Sequence, residues 1–307
     1  MTTLTRRRFL TGTAASGLAL AAPFPALAQP AKRLIVDAQI HMWKANTPDR
    51  PWFAPRAQLP EPMTIERVVP MIDEAGVDRV VIVPPTLEGM RVDYGQEAAR
   101  RYPGRFATMG RIQLNDPNEA KRLPGWRAQP AVLGVRLNIA GDEAAWLTNG
   151  AADWFWPAAE KANVPVMFLT NGQTHLFGPI AEKHPNLTLI IDHMGISSAA
   201  LKAGKLPETV AASAALAKYP NVSVKLSSAP LFSKEPYPWR DMTAHIKRLY
   251  DAYGPQRCHW GTDVTNSFAK ASYKQRVTHF TEELPFLSES DKDWIMGRSI
   301  LARLRWT

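Results

Sequence analysis

Residues 34–43 of the chain read Leu34-Ile35-Val36-Asp37-Ala38-Gln39-Ile40-His41-Met42-Trp43. Apolar residues that alternate with polar ones are typical of a β-strand, in which successive side chains point to opposite faces. The alternation predicts that the odd-numbered side chains Asp37, Gln39, His41 and Trp43 share one face at the end of a strand. Such a strand either carries reactive groups or is a buried strand whose histidine belongs to the core. The rest of the chain favours the first alternative.

Beyond this stretch, short apolar runs alternate with amphipathic segments of helical spacing. Eight such β/α units in about 250 residues predict an α/β fold with a closed parallel sheet, a single (β/α)8 TIM barrel. An open doubly wound sheet is the alternative, but no Gly-rich phosphate turn follows the first strand. Further strands are predicted at residues 79–84, 106–114, 132–138, 164–169, 187–193, 222–226 and 258–261, and helices or helical crossovers at 64–76, 93–102, 117–129, 151–163, 173–184, 206–218, 240–253 and 272–283.

The amino-terminal segment resembles an export signal rather than part of the fold. Residues 5–10 contain three consecutive arginines, residues 12–27 form a weakly apolar run, and Ala26-Leu27-Ala28 is a small-residue cleavage site. This pattern predicts a twin-arginine signal at residues 1–28, a mature barrel domain at 29–307 and a periplasmic location. A membrane anchor is disfavoured because the run is interrupted by Pro23 and Pro25, so no membrane span is expected after cleavage.

Composition narrows the classes of partner. Removing the signal takes away three arginines and no acid, which lowers the formal charge from +9 to +6. A moderately basic chain suits a small anionic organic substrate. The sequence outside the signal has no Lys/Arg cluster of the kind that binds nucleic acid. The single cysteine, Cys258, cannot form an intramolecular disulfide.

Polar side chains follow strand after strand. In a (β/α)8 barrel the active site lies at the carboxyl ends of the strands, so side chains at these ends are expected to converge. Polar side chains follow seven of the eight predicted strands, which is more than structural polar residues alone would be expected to supply. The residues are Gln39 and His41, Arg111 and Gln113, Arg136 and Asn138, Thr170 and Asn171, Asp192 and His193, Lys225 and Ser227, and Thr262 and Asp263.

Four segments carry a resemblance to a known family. They read Asp37-Ala38-Gln39-Ile40-His41-Met42-Trp43, Asp192-His193-Met194-Gly195, Val224-Lys225-Leu226-Ser227 and Trp260-Gly261-Thr262-Asp263. In this order they resemble the signature segments of the amidohydrolase-related group (amidohydrolase family 2) of the amidohydrolase superfamily. The resemblance implies a TIM-barrel enzyme. Members of the group include lactonases of sugar acids and of pyrone dicarboxylate, and nonoxidative decarboxylases of aromatic or semialdehyde acids.

The resemblance also assigns site residues and reveals departures. His41 matches the second histidine of the family's His-x-His segment, His193 the histidine of strand six, and Asp263 the aspartate of strand eight. The first histidine is replaced by Gln39, and strand five ends in Leu169-Thr170-Asn171 without a histidine. A neutral amide is a poor zinc ligand, so no cofactor is firmly predicted. The alternative is one divalent ion, zinc or manganese, bound by His41, His193 and Asp263.

The leading functional hypothesis is a hydrolase of a small carboxylated cyclic ester (lactone) or a related carbonyl compound. Asp263 is expected to activate water as a general base, and His41 and His193, with the amide of Gln39, to hold the oxyanion. Substrate contacts are predicted for Gln39, Arg136, Lys225 and Trp43.

Arg136 and Lys225 require either a substrate carboxylate or an internal ion pair. For Arg136 we expect the substrate, because no acid is near it in sequence. Two other functions stay open, a metal-dependent nonoxidative decarboxylase and a non-catalytic barrel that binds a ligand.

Overall fold

The structure is a computed structural model that describes residues 32–54, 59, 61–170 and 172–307. The predicted export signal at residues 1–28 lies outside the described residues. Residues 33–307 form one compact unit. No helix in the described ranges is long and apolar enough to cross a membrane.

Eight strands form one parallel sheet in sequence order, with each strand paired to the next. Helices or helical turns connect the strands, which confirms the predicted (β/α)8 barrel. The strands are β1 (Val36–Ile40), β2 (Arg79–Ile82), β3 (Phe106–Gly110), β4 (Val132–Ile139), β5 (Val166–Thr170), β6 (Leu189–Ile191), β7 (Val222–Ser227) and β8 (Cys258–Gly261).

Hydrogen bonds connect the first and last strands at their carboxyl ends. The backbone N–H of Asp263 donates to the carbonyl oxygen of Gln39 at 2.8 Å. The buried carboxylate of Asp37 accepts hydrogen bonds from the backbone N–H groups of Gln39 and Thr262, each at 2.9 Å. Asp37 therefore connects β1 to the segment that follows β8, and these bonds fix Gln39 and Asp263 beside each other.

The predicted helices or helical crossovers are present, but short helices at Ser198–Lys202 and Ala229–Phe232 and the helical residues 289–304 were not predicted. Residues 289–304, for which no helix was predicted, contain α10, one π-helical turn and α11. The helices are α1 (Ile65–Glu74), α2 (Asp93–Arg101), α3 (Phe155–Lys161), α4 (Phe177–Lys183), α5 (Ser198–Lys202), α6 (Leu206–Ala215), α7 (Ala229–Phe232), α8 (Thr243–Tyr253), α9 (Tyr273–Thr281), α10 (Glu289–Asp293) and α11 (Ser299–Leu304).

The core has two layers. A small apolar cluster inside the barrel contains residues from the first six strands, together with Ile300 and Leu304 of α11. The carboxyl-terminal helix therefore packs against apolar strand residues such as Val36 and Ala38. A larger cluster contains the apolar residues that lie between the strands and the surrounding helices. Because apolar groups fill the inner cluster, polar chemistry is confined to the opposite end of the barrel.

The predicted common face of β1 is interrupted by an irregularity. The pairing of β1 with β2 shifts register between Asp37 and Ile40. Asp37 accepts a hydrogen bond from Tyr273 of the outer helix α9, whereas Gln39 accepts one from Lys225, which also touches Met167 of the inner cluster. The expectation that all the odd-numbered residues share one face was wrong, because a bulge changes the direction of the side chains that follow it.

Candidate active site

A cavity of about 280 Å³ lies at the carboxyl ends of the strands. It contains residues from β4 and β5 and from the segments that follow β1, β2, β6 and β8. His41, His193, Arg136 and Trp43, all predicted site residues, contribute to its wall. The complete lining is His41, Trp43, Pro85, Thr86, Leu87, Arg136, Asn138, Leu169, His193 and Asn266.

Asp263 lies directly behind this wall, and only 1% of its surface is exposed. Asn266, which lines the cavity, donates its amide Nδ2 to both carboxylate oxygens at 2.8 and 2.9 Å. The hydroxyl of Ser228 donates to Oδ2 at 2.8 Å, and Nε2 of His41 is 3.3 Å from Oδ1. The structure therefore brings Asp263 together with His41 and His193 and occupies both of its oxygens with protein groups.

The electrostatic surroundings keep Asp263 ionised. Burial by itself raises the pKa of a carboxyl group, because it disfavours the charged form. Here the interactions with His193, His41 and the amide of Asn266 oppose that effect and hold the pKa of Asp263 well below its usual range. A carboxylate in this environment carries its negative charge across the neutral pH range.

The hydroxyl of Ser228 links His193 to Asp263 by hydrogen bonds. Nδ1 of His193 is 2.8 Å from the hydroxyl oxygens of both Ser227 and Ser228. The single hydroxyl proton of Ser228 is donated to Asp263, so Ser228 has only an acceptor to offer to His193. Nδ1 of His193 is therefore assigned the ring proton, and Nε2, for which no hydrogen bond to a described residue is present, keeps its lone pair.

His193 is also neutral at ordinary pH. Burial lowers its pKa, against the opposing effects of Asp263 and Asp192. Since its ring lines the cavity and Nδ1 is engaged on the protein side, the unprotonated Nε2 is the basic atom available there. The arrangement from Asp263 through Ser228 to His193 can accept a proton from a molecule in the cavity.

The same three residues have unusual backbone conformations. The φ angles of His193, Ser228 and Asp263 are 51°, 68° and 49°, in the left-handed region. A residue with a side chain adopts this region at a cost of roughly 1 kcal/mol or more, which the surrounding structure must offset. Several left-handed residues that are hydrogen-bonded to one another, as these three are, are typical of a functional site.

His41 has a different hydrogen-bonding state. Its Nδ1 is 2.7 Å from the carbonyl oxygen of Val83, which can only accept, so Nδ1 carries a proton. Nε2 is the atom that lies 3.3 Å from Oδ1 of Asp263. That contact is attractive when Nε2 is protonated as well, and His41 is then a cation at the cavity wall, where 8% of its surface is exposed.

Arg136 has an acidic partner that sequence reasoning missed. Its Nε donates to Oδ2 of Asp192 at 3.1 Å, and Asp192 is fully buried. The expectation that Arg136 has no acid of the barrel to pair with was wrong, because Asp192 is 56 positions away in sequence but close in space. Arg136 nevertheless lines the cavity, and its Nη atoms make no hydrogen bond within the described ranges.

Lys225 and Gln39 lie in the interior, outside the cavity wall. The ammonium group of Lys225 is 2.9 Å from Oδ1 of Asp192 and 2.6 Å from Oε1 of Gln39, and both Lys225 and Gln39 are fully buried. For Lys225 the structure contains the internal ion pair rather than an exposed anchor. The expected place of Gln39 among the groups facing the oxyanion is also corrected, since its Oε1 is held by Lys225 and its Nε2 is a buried atom without a described partner.

Asp192 and Lys225, buried beneath the cavity, each change the pKa of the other. Burial raises the pKa of Asp192, but Lys225, Arg136 and His193 outweigh that effect and lower it to about 2. Burial lowers the pKa of Lys225, and Asp192 opposes that change. One carboxylate thus faces two cations from different strands, and removal of the carboxylate would leave both cations buried without a partner of opposite charge.

The described residues do not fit a metal centre of the usual kind. They contain no cluster of three or more His, Cys, Asp or Glu side chains placed to hold an ion. His41 and Asp263 supply two neighbouring donors and His193 lines the same cavity, but Oε1 of Gln39, at the position of the family's first histidine, is held by an ammonium group. Three or four converging ligands are the rule for such sites, so no chemical step is assigned to a metal here.

Two residues at the site escaped sequence reasoning. Ser228 follows the motif segment that ends at Ser227, and Asn266 lies three positions after Asp263. Their proximity to recognised motif residues was the only available signal, because the direction of a loop side chain is set by backbone turns such as the positive φ of Ser228.

Comparison with known proteins identifies the family of the chain. A family model described as Amidohydrolase (Amidohydro_2) matches residues 36–299, which is most of the chain. The chain belongs to this amidohydrolase family. The resemblance inferred from the four motif segments is therefore confirmed. Solved structures of similar fold include proteins named as a hydrolase and as a decarboxylase. Comparison with curated proteins gives no significant match.

Solved structures share the fold of this amidohydrolase at low sequence identity. An amidohydrolase from Burkholderia multivorans with bound zinc is 21% identical, with a TM-score of 0.73, over 89% of this chain and all of that one. A protein from Acinetobacter baumannii provisionally identified as a 2-pyrone-4,6-dicarboxylic acid hydrolase, with citric acid bound, is 17% identical (TM-score 0.70; 88% and 99% covered). The 5-carboxyvanillate decarboxylase of Novosphingobium aromaticivorans, complexed with manganese and a nitrobenzoic acid, is 14% identical (0.65; 89% and 96%).

Proposed function

We propose that this amidohydrolase hydrolyses the ring C–O bond of a small carboxylated cyclic ester. The observation that carries the proposal is the hydrogen-bonded set Asp263, Ser228 and His193, which leaves a neutral imidazole nitrogen beside a cavity that also contains a guanidinium group. A base and an anion-binding group on one small cavity are what hydrolysis of a carboxylated ester requires.

Water activation is assigned to Asp263 acting through His193. In the first step, a water oxygen bonds to the carbonyl carbon while its proton passes to Nε2 of His193. The imidazolium so formed is stabilised by the negative charge of Asp263 through Ser228, in the way that a buried aspartate supports the histidine of a catalytic triad. Direct proton transfer to Asp263 is less favourable, because both of its oxygens are occupied and its pKa is lowered.

The ring opens in the second step. The tetrahedral oxyanion collapses, the bond from carbon to the ring oxygen breaks, and the leaving oxygen takes the proton back from His193. His41, whose Nδ1 donates to the carbonyl oxygen of Val83 and whose ring lines the cavity, faces the developing negative charge and stabilises it when its Nε2 also carries a proton. The product is a hydroxy acid whose new carboxyl group releases one proton at neutral pH.

Arg136 is proposed to bind the substrate carboxylate. Its Nε is fixed by Asp192, which orients the planar guanidinium and leaves the Nη groups for a ligand in the cavity. A guanidinium held in this way can bind a carboxylate with defined geometry and so fix the ester carbonyl relative to the base. The buried Trp43 forms part of the wall against which an apolar ring can pack.

The direct test is a screen of carboxylated lactones and aromatic acids with purified mature protein, in which proton release and carbon dioxide are followed separately. The proposal expects one proton per turnover, no carbon dioxide, and activity that survives prolonged treatment with a strong chelator. Carbon dioxide evolution that chelation abolishes and manganese or zinc restores would support the metal-dependent decarboxylase instead. Binding of acids without turnover of any of them would support the non-catalytic barrel.

We also propose that the protein acts in the periplasm after export by the twin-arginine route, on the basis of residues 5–10 and the cleavage site at Ala26-Leu27-Ala28. Replacing Arg6 and Arg7 by Lys should leave the precursor in the cytoplasm, as judged by cell fractionation. Continued export of the double variant would contradict the proposal.

A further inference from the structure

A second cavity adjoins the site of the proposed reaction. It has a volume of about 650 Å³ and shares Thr86, Arg136 and Asn138 with the smaller cavity. Arg136 therefore stands at the boundary between the two spaces. A ligand bound at His193 can extend past Arg136 into this outer cavity without displacing an element of the fold.

The wall of the outer cavity combines apolar surface with cationic groups. Ile112, Leu114 and Trp146 supply apolar surface, whereas Arg111 and Arg91 supply guanidinium groups. Arg91 is occupied, because it donates to the carbonyl oxygen of Pro51 and stacks over the exposed ring of Phe53 at 4.7 Å.

Arg111 differs from both of the other arginines. It is partly buried, yet it forms no hydrogen bond or ion pair with any residue that the structure describes. Burial and the neighbouring charge of Arg136 lower the pKa of its guanidinium group to about 10. A partly desolvated cation close to a second cation is unfavourable unless an anion compensates it.

The acid in this cavity does not supply that compensation. Glu143 lines the same space and weakly favours the charged form of Arg111. Its Oε2, however, accepts a hydrogen bond from the backbone N–H of Ala140 at 3.2 Å, and no ion pair with Arg111 forms within 4 Å. The position opposite Arg111 is therefore open to a ligand.

We propose that Arg111 is the centre of a second anion subsite, which binds a carboxylate carried on the part of the substrate remote from the ester that reacts. Arg136 would hold the group next to the scissile bond, and Arg111 the far one, with the apolar spacer of the substrate against Ile112, Leu114 and Trp146. The inference rests on the proposed function for the identity of the reacting bond, but the subsite itself is testable by binding alone. Its effect is to select doubly charged substrates over singly charged ones of the same shape.

The test is calorimetric titration with three diacids, benzene-1,3-dicarboxylate, benzene-1,4-dicarboxylate and naphthalene-2,6-dicarboxylate, each against its monoamide, with benzoate as reference. In the wild type at least one diacid should bind ~10-fold or more tighter than its monoamide. Arg111→Met should remove that advantage and leave the affinity for benzoate within about twofold. Arg111→Gln, which keeps a polar side chain, should give the same loss and serves if the Met variant fails to fold.

Arg91→Met is the matched control, since Arg91 lines the same cavity but is occupied by protein groups, and it should preserve the preference for the diacid. Equal affinities of every diacid and its monoamide in the wild type would overturn the proposal, as would an undiminished preference in a folded Arg111 variant. Because the measurement needs no turnover, failure of lactone hydrolysis would leave this result interpretable. If hydrolysis is found, Arg111→Met should raise KM for a doubly charged substrate with little change in kcat.

Discussion

The hydroxyl of Ser228 donates to Oδ2 of Asp263 at 2.8 Å and, through the same oxygen, is 2.8 Å from Nδ1 of His193. This single contact determines the tautomer of His193, because a serine hydroxyl has only one proton to donate. Through this contact Asp263 can affect His193 at the cavity wall, although Asp263 itself is almost completely buried. Each part of this arrangement can be altered separately.

Ser228→Ala should lower kcat by ~10-fold or more, because it disconnects Asp263 from His193 without removing either group. The matched control is Ser227→Ala, which removes the other hydroxyl at 2.8 Å from Nδ1 but leaves the bond from Ser228 to Asp263 in place. NMR titration of His193 in both variants provides a readout besides activity. Equal losses in the two variants would contradict the assignment of the relay to Ser228.

The pH dependence of kcat/KM should have an acid limb that belongs to His193. Its pKa is lowered from its ordinary value, so the neutral base predominates at pH 7 and is lost as the pH falls below the usual range of an imidazole. Asp263 does not titrate in that range, because its pKa is held well below the usual value for aspartate. A profile measured from pH 4 to 9 checks this, and an acid limb centred above pH 7 would be inconsistent with it.

Lys225→Met should lower the free energy of unfolding by ~3 kcal/mol, because Asp192 loses one of its two buried cations. The expected loss is largest at neutral pH. Since the pKa of Asp192 is lowered to about 2, its stabilising contribution is present above about pH 4 and disappears as the pH falls through 2. Denaturant unfolding at pH 7 and pH 3 measures both effects.

The control for Lys225 is Lys247→Met, which breaks an exposed ion pair with Asp251 and should change stability by less than ~0.5 kcal/mol. Asp192→Asn in the Lys225→Met background should add to the loss, because it leaves the buried guanidinium group of Arg136 without its carboxylate. A Lys225→Met variant as stable as wild type would show that the buried pair does not support the fold.

The barrel was predictable because its signal is local. Apolar runs and helical spacing repeat eight times, and parallel strands necessarily place their carboxyl ends at one edge. That rule alone brought His41, His193 and Asp263 together correctly. The helical residues 289–304 were missed because α10 has only five residues, four of them charged, and is followed by a π-helical turn rather than regular helix.

The orientation of individual side chains was not predictable in the same way. Gln39 and Lys225 were expected to face the substrate, but the register shift in β1 and the acid on β6 direct them into the interior. The pairing of Arg136 with Asp192 joins neighbouring regions of the barrel through residues far apart in sequence, and no sequence spacing specifies it. Contacts across a barrel depend on register, which only the folded structure defines.

The central claim is that Asp263 drives hydrolysis by supporting His193 as the base. Asp263→Asn is the decisive variant, because asparagine tolerates the left-handed backbone at this position and keeps the shape of the side chain while removing its charge. Its activity should be measured as proton release from the best carboxylated lactone in the screen, with the melting temperature determined in parallel. The account predicts a loss of ~10²- to 10⁴-fold in kcat at an almost unchanged melting temperature. Hydrolysis at near wild-type rate by Asp263→Asn would contradict it.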